Sequence, residues 1–421
     1  MQEKKSITKS GIRLYSLYTP LHSFVLSLYI PAGPLYDGND NVGMSHLLEH
    51  SLFRNINHIM GGTLYRELDR YGLTLSGATY NELIQISVQG SPKHFDKAAD
   101  ILLLALSPLE ITLSELNAEK ERVKREIRED TYRSSVDAIS QKAVWGGTGL
   151  AETITGTVGK ISAVTLSKLH KFSEELFCKN NIFFYLTGAF EEKNLSGLVE
   201  RLDKISLPDG KKRSNIAEKP ARFFKRSPDI TVKRDDFCKV KLAFDIDCEK
   251  TRKPSRDLVY DILFQGDTSE VFMELSEKNG YVYSFDANLD EYRNLGSLSL
   301  SFETSAADFE PALRAVWKIF KNITEKVDEE KLSLAKVPYT ENSEFILDDA
   351  EALNWNKAWE SHILGFEYTT LEARKEAYSR VTAKEVCETA KKIFSLSNLT
   401  IAAKHRKPET AEKIIKDVFF S

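Results

Sequence analysis

The stretch His46-Leu47-Leu48-Glu49-His50 lies in a helix that the sequence predicts over residues 43–58. At about 100° per residue, His46 and His50 share one face of this helix, one turn apart, which is the spacing that two imidazoles need to bind one zinc ion. Glu49 flanks His46 on the other side. A carboxylate there can take a proton from a water molecule, because zinc lowers the pKa of water to about 7. The stretch therefore fits a zinc site with a general base, although two histidines and a glutamate also meet on helices by chance.

A catalytic zinc ion needs a third protein ligand, since such sites hold three protein ligands and a water molecule. A long charged helix, predicted over residues 112 to about 144, offers Glu119 and Glu126. They are two turns apart and share a face, so that one can bind the metal while the other supports it. A solvated helix with ion pairs such as Glu121 with Arg125 explains the same pattern, and the helix alone leaves both interpretations open.

Composition and length describe a globular protein of more than one domain. The chain has 421 residues, of which 42% are hydrophobic and 29% are charged, and this length exceeds what one ordinary core accommodates. The net charge of −4 is small, so we expect no nucleic-acid partner.

The sequence has no stretch typical of a signal peptide, a membrane span or a CxxC pair. No stretch has the roughly 18 apolar residues that span a bilayer, and the N-terminus has no signal-peptide core. The cysteines, which include no CxxC pair, are Cys178, Cys238, Cys248 and Cys387. They are typical of free thiols in a reducing compartment. We therefore expect a cytoplasmic protein with no membrane partner.

Predicted elements follow a similar order twice. The order before residue 207 is β-β-α-α-β-β-α-α-α-β-α, and a similar succession restarts near residue 240. The basic stretch between them contains Pro and Gly and favours a solvated linker over a binding segment. We predict an α+β fold of two duplicated α/β domains, each a mostly antiparallel sheet flanked by helices. The predicted parts are residues 1–206 with the zinc motif, the linker 207–228, and residues 229–421 without the motif.

These features resemble the pitrilysin and mitochondrial-processing-peptidase family of zinc metallopeptidases, including its bacterial two-domain subunits. That family shows HxxEH followed about 76 positions later by a glutamate that completes the zinc site, and Glu126 lies 76 positions after His50. The resemblance implies that His46, His50 and Glu126 bind Zn²⁺. It also implies that Glu49 is the catalytic base and Glu119 an accessory acid.

The resemblance extends over nearly the whole chain. Ser76, Gly77 and Ala78 lie in a stretch that is similar to the family's edge strand, which pairs with the substrate backbone, although the family usually has Asn-Ala-aromatic-Thr there. Residues 156–162 are similar to a Gly-Thr segment of the family, and residues 269–284 to its C-terminal signature.

One position of the C-terminal signature departs from the family. Active members carry an Arg and a Tyr seven positions apart, which hold the substrate and stabilise the oxyanion; here Tyr283 matches the Tyr, but Ser276 stands in place of the Arg. A serine supplies neither the cation nor its fork of donors. The resemblance therefore implies a heterodimer in which a related subunit supplies the Arg/Tyr pair and this chain forms half of a clamshell. Lys278 or Arg293 as a substitute for the Arg, and a homodimer, stay open.

The function implied by the resemblance is that of a zinc metalloendopeptidase subunit. Its expected substrates are small or unfolded peptides, such as leader or precursor peptides, cleaved within a two-subunit chamber. The alternative is a non-catalytic scaffold or core-type subunit of the same fold, but such relatives typically lose part of the motif. A structural zinc site is a further alternative, but it is normally cysteine-rich, and no cysteine lies near His46 or His50.

Overall fold

A computed structural model describes the chain over four ranges, residues 3–38, 40–220, 228–366 and 370–421. The chain forms two compact units, each built of three segments. The first unit consists of residues 1–130, 152–215 and 344–371, and the second of residues 131–151, 216–343 and 372–421. Each unit thus includes one segment from the other half of the chain. A division at the predicted linker would assign these two segments to the opposite units. Residues 221–227 of that linker lie outside the described residues.

The first unit is built on a six-stranded mixed sheet. Its strands are Lys4–Ile7 (β1), Arg13–Tyr18 (β2), Phe24–Ile30 (β3), Thr74–Thr79 (β4), Ile84–Gly90 (β5) and Phe183–Gly188 (β6). They lie in the order β1-β2-β6-β3-β5-β4, and only β2 and β6 are parallel neighbours. The central strands β3 and β6 are buried along their whole length, whereas β4 at the end of the sheet is largely exposed or half-buried.

The second unit repeats this plan with five strands. They are Asp229–Arg234 (β7), Cys238–Asp247 (β8), Phe285–Glu291 (β9), Leu295–Thr304 (β10) and Leu399–His405 (β11). Their order is β7-β11-β8-β10-β9, with one parallel pair, β7 and β11. This order matches β2-β6-β3-β5-β4 of the first sheet. The predicted α+β fold of two duplicated domains with mostly antiparallel sheets is confirmed.

Helices flank both sheets. In chain order they are Pro34–Asp37 (α1), Met44–Ile59 (α2), Leu64–Tyr71 (α3), Phe95–Leu103 (α4), Leu113–Glu129 (α5), Val136–Trp145 (α6), Val158–Ser162 (α7), Leu166–Leu176 (α8), Glu192–Asp203 (α9), Lys253–Phe264 (α10), Phe309–Glu325 (α11), Glu329–Lys336 (α12), Ala350–Lys357 (α13), Leu371–Ser379 (α14), Ala383–Ile393 (α15) and Pro408–Phe419 (α16). Two further segments, Phe272–Lys278 and Ala358–Leu364, are π-helical. In the described ranges no helix combines the length and the apolar character needed to cross a membrane.

The single long helix predicted over residues 112 to about 144 is wrong, because the chain forms two helices there. Helix α5 ends at Glu129, and Asp130 has an extended backbone. Ser135 then begins α6, since its side chain accepts a hydrogen bond from the backbone N–H of Ala138. The two predicted acids, Glu119 and Glu126, both lie on α5, so the break does not separate them.

The apolar face of α2 determines the orientation of the helix on the core of the first unit. Leu47, Leu48, Leu52 and Ile56 are fully buried in the core of the first unit, at the spacing of one helical face. His46, Glu49 and His50 are not part of this core cluster and are half-buried. They meet residues of α5 and β4.

Candidate metal centre

Three predicted metal ligands converge between α2 and α5. His46, His50 and Glu126 each present a ligand atom, and these atoms lie within 4.8 Å of one another. Glu126 Oε2 is 3.1 Å from His46 Nε2 and 3.7 Å from His50 Nε2. A tetrahedral zinc site with bonds of about 2.1 Å separates its ligand atoms by about 3.4 Å, and the two distances lie on either side of this value. The donor set therefore fits one zinc ion.

A buried carboxylate lies beside Nδ1 of His50. Glu119 is 3% exposed, and its Oε2 lies 3.4 Å from His50 Nδ1. This oxygen has no hydrogen-bond partner among the described residues. A His50 that donates its Nδ1–H to Glu119 presents an unprotonated Nε2, which is the form that binds a metal. Glu119 thus lies where an acid supporting a metal ligand is expected.

Glu49 lies beside the metal ligands. Its Oε2 accepts a hydrogen bond of 2.7 Å from Thr79 Oγ1 and lies 3.7 Å from His46 Nδ1. Burial raises the pKa of Glu49, but the interactions with His46 and Thr79, together with the charge of His50, outweigh burial and lower the pKa below its usual value. Glu49 is therefore ionised at neutral pH and able to accept a proton.

In His46 and Glu119, too, the effect of burial on the pKa is outweighed by neighbouring groups. Burial lowers the pKa of His46, yet hydrogen bonds and charges of Glu49 and Glu126 outweigh it, so the pKa is raised. Burial raises the pKa of Glu119, while His50 and Arg54 outweigh it and leave the pKa lowered. Glu49 and Glu126 thus favour positive charge at His46, and a metal cation meets the same preference.

The edge strand β4 passes close to Glu49. A Cβ atom added to Gly77 would lie 2.5 Å from Phe53 Cε2 and 3.1 Å from Glu49 Oε1, so the approach requires a glycine. The outer edge of β4 pairs with no other strand of the described residues. Ser76 and Gly77 are exposed and Ala78 is half-buried. Of the three predicted substrate-binding residues, Gly77 therefore lies beside the predicted base, and Ser76 and Ala78 flank Gly77 on β4.

Tyr283, the remaining predicted catalytic residue, belongs to the second unit. Its side chain is 100% exposed. Ser276 lies on a π-helical segment of the same unit, and its hydroxyl has no hydrogen-bond partner among the described residues. The metal cluster consists of residues of the first unit, and Tyr283 is not one of them.

Three residues near the cluster were missed by the sequence analysis. Arg54 Nε donates to Glu119 Oε1 at 2.8 Å, Thr79 holds Glu49, and Phe53 packs against Gly77. A signal for Arg54 was present, because it follows His50 by four residues and so shares its helical face. Thr79 and Phe53 act through contacts between separate elements, which no local pattern predicts.

Two family models match successive parts of the chain. The model described as Insulinase (Peptidase family M16) matches residues 15–158, and the model described as Peptidase M16 inactive domain matches residues 163–337. The chain belongs to the M16 peptidase family. The predicted family resemblance is thereby confirmed.

Two of the proteins compared with this M16 chain share its length, and the solved structures share its fold. A Rickettsia felis protein named "Uncharacterized zinc protease" is 22% identical over 405 residues, which cover 94% of this chain and 96% of the relative. The structure of a peptidase M16 inactive domain from Pseudomonas fluorescens matches with a TM-score of 0.82 and 16% identity, over 97% of this chain and 99% of that one. The periplasmic protease PqqL from Escherichia coli matches with a TM-score of 0.81 and 14% identity, over 100% of this chain but 50% of its own. At these identities the structures show a common fold.

Proposed function

We propose that this chain is a zinc-dependent endopeptidase subunit that cleaves small or unfolded peptides. One observation carries the proposal: a single ionised carboxylate, Glu49, lies both beside a three-residue donor set that fits zinc and beside the open edge of β4. The zinc protease names of the sequence relatives support the same reaction class.

The metal ligands, Glu49 and Thr79 have different roles in the proposed hydrolysis. Zinc, when bound by His46, His50 and Glu126, supplies a Lewis acid and favours deprotonation of water. Glu49 takes the proton of the attacking water and then delivers it to the leaving amine. Thr79 holds the carboxylate of Glu49 by its hydrogen bond, so that the base keeps its position during both transfers.

The proposed substrate is an extended peptide that adds to β4 as a further strand. Such strand addition uses main-chain hydrogen bonds and therefore selects weakly among side chains. The lack of a side chain at Gly77 brings the backbone of β4, and with it an added strand, close to Glu49. Leader or precursor peptides fit this mode of binding, because they are unfolded.

Metal analysis combined with the Glu49→Gln variant tests the proposal. We expect about one zinc ion per chain in both proteins and a loss of peptide cleavage by at least about 1,000-fold in the variant. Glu121→Gln, which changes an exposed acid of α5 that pairs with Lys124, is the matched control and retains cleavage. Unchanged cleavage in the Glu49 variant would rule out this residue as the base. A chain with neither zinc nor cleavage, even in its native complex, would instead indicate a non-catalytic scaffold subunit.

We further propose a related partner subunit, which supplies an Arg/Tyr pair for substrate binding. Ser276 in place of the Arg supports this idea, and so does the match to one half of the length of PqqL. We expect the purified chain alone to cleave peptides slowly, and addition of the partner to raise turnover by at least about 10-fold. Full turnover by the isolated chain would contradict the partner. The cytoplasmic location is likewise a proposal, and fractionation of the host cells tests it.

A further inference from the structure

Arg54 lies one turn beyond His50 on α2 and reaches the buried carboxylate of Glu119. Its Nε donates to Glu119 Oε1 at 2.8 Å, and its Nη2 donates to the same oxygen. Glu119 is 3% exposed, whereas the Arg54 side chain is 36% exposed. A buried carboxylate needs a charged partner to remain ionised. Arg54 therefore stabilises the charge of Glu119 from the solvent side.

Both donors of Arg54 bind one oxygen of Glu119, which leaves the other oxygen for His50. Glu119 Oε2 lies 3.4 Å from His50 Nδ1 and has no hydrogen-bond partner among the described residues. The opposite nitrogen of the same ring, His50 Nε2, lies 3.7 Å from Glu126 Oε2. Successive contacts thus connect Arg54 through Glu119 and His50 to the donor set.

Each of these contacts restricts the rotation of one side-chain group. The guanidinium of Arg54 restricts the rotation of the Glu119 carboxylate, and Oε2 of that carboxylate is placed to accept the Nδ1–H of His50 and so to set the tautomer and ring orientation of His50. Without a cation at Oε1, the carboxylate of Glu119 is free to turn and to compete for the metal as a ligand itself. The position of Arg54 favours a supporting role for Glu119.

We infer that Arg54 is a positioning residue of the metal centre, which holds Glu119 so that Glu119 orients His50 Nε2 toward the metal. The inference rests on the proposed zinc site but not on peptidase activity. A purely structural role is the competing explanation, because the next turn carries a similar tie between the two helices, from His58 Nδ1 to Glu115 Oε1 at 3.2 Å. The two roles differ in their effect on metal affinity.

Zinc affinity of the full chain tests the inference, measured by competition with a chromophoric chelator. We expect Arg54→Met to weaken zinc binding by about 10- to 100-fold, the range typical for loss of a residue that supports a ligand. Arg54→Lys restores part of the affinity, since an ammonium supplies the charge but not two fixed donors. The visible spectrum of the cobalt-loaded Arg54→Met chain also differs from that of the wild type, because these bands report the coordination geometry.

Arg122→Met is the matched control. Arg122 also approaches Glu119, but its Nη1 is 3.8 Å from Oε2 and its side chain is 59% exposed, so we expect wild-type affinity. The melting temperature of the metal-free proteins separates folding from binding. An Arg54→Met chain with wild-type zinc affinity and an unchanged cobalt spectrum would overturn the positioning role while leaving the proposed function intact. A wild-type chain that binds no zinc would overturn the proposed function and this inference together.

Discussion

At the scale of single residues, the absence of a side chain at Gly77 determines how close β4 comes to the predicted base. The edge of the Phe53 ring fills the space where a Cβ atom of residue 77 would lie, and Glu49 Oε1 is next to it. Since Thr79 on the same strand holds Glu49 Oε2, any shift of β4 also moves the carboxylate. The positions of β4 and of the Glu49 carboxylate therefore depend on each other.

The variant Gly77→Ala tests this dependence. We expect peptide cleavage, measured as kcat/KM, to fall by about 10- to 100-fold, because displacement by about 1 Å is enough to lose that factor. We expect zinc content to stay unchanged, since the atoms nearest to the added methyl group belong to Phe53 and Glu49 and not to a metal ligand. Gly159→Ala is the control, because a Cβ atom there meets nothing within 4 Å. Wild-type kcat/KM in Gly77→Ala would show that the close approach is not needed.

At the scale of elements, helix α2 begins in a buried polar arrangement. Asp37 is 5% exposed and accepts a hydrogen bond of 2.8 Å from the hydroxyl of Ser45, which itself accepts from the backbone N–H of Gly33 at 2.7 Å. Burial raises the pKa of Asp37 to about 7, although Ser45 and the charge of Arg213 oppose the shift. The protonation state of Asp37 therefore makes the stability of the start of α2 depend on pH.

The sign of the pH effect follows from the pKa of Asp37. The folded-state pKa of about 7 exceeds the ordinary value of about 3.9, so between these values the folded chain binds more protons than the unfolded chain. Stability contributed by Asp37 therefore falls as the pH rises from about 4 to 7. We expect the free energy of unfolding of Asp37→Asn, relative to wild type, to increase by about 2–3 kcal/mol between pH 5 and pH 8 in urea titrations. The exposed control Asp40→Asn shows no such change, and a constant difference for Asp37→Asn would contradict the assignment.

Helix α13 is held on the first sheet by one buried amide. Asn354 is fully buried; its Oδ1 accepts from Tyr29 OH at 2.8 Å, and its Nδ2 lies within 3.2 Å of acceptors on Val25, Tyr185 and Thr187. Replacement by an apolar residue removes these hydrogen bonds inside the core, and Tyr29 OH keeps its bond from Gln85 Nε2 at 3.0 Å. Loss of several buried hydrogen bonds costs more than the loss of an exposed one. The side chain therefore fixes the register of α13 on the sheet.

The variant Asn354→Ala measures that contribution. We expect the free energy of unfolding to fall by about 2–4 kcal/mol in denaturant titration, because several buried polar groups lose a hydrogen bond at once. Glu351→Ala, an exposed change on the same helix, is the control and stays within about 0.5 kcal/mol of wild type. A loss as small as the control's would mean that the amide is dispensable.

At the scale of the whole molecule, each unit depends on a segment from the other half of the chain. The first unit takes up residues 344–371, and the second takes up residues 131–151. Side chains of the first of these segments, including Leu353, Ala358 and Ile363, complete an apolar cluster with Tyr29 and Tyr185 of the first sheet. The two units are therefore not independent halves of the sequence.

A fragment of residues 1–220 consequently lacks one layer of its first unit. We expect it to unfold without a cooperative transition and to bind a hydrophobic dye, because the cluster around Tyr29 and Tyr185 is left exposed. The comparison protein carries residues 344–366 on a flexible linker after residue 220 and regains a cooperative transition in calorimetry. Cooperative unfolding of the shorter fragment at the midpoint of the full chain would refute this dependence.

The sequence by itself determined the candidate ligands and the plan of the fold. The spacing of His46 and His50 and the repeated order of elements are local or periodic features, which the helical period and the pattern of apolar residues reveal. The roles of Glu119 and Glu126 came from the family resemblance, because their helix alone left both interpretations open. Only the tertiary structure decided the rest. The tie between Arg54 and Glu119 spans 65 positions, the contact of Gly77 with Phe53 joins a strand to a helix, and the exchanged segments join opposite halves of the chain. Such contacts depend on how separate elements pack, and a pattern within one element carries no record of its neighbour's side chains.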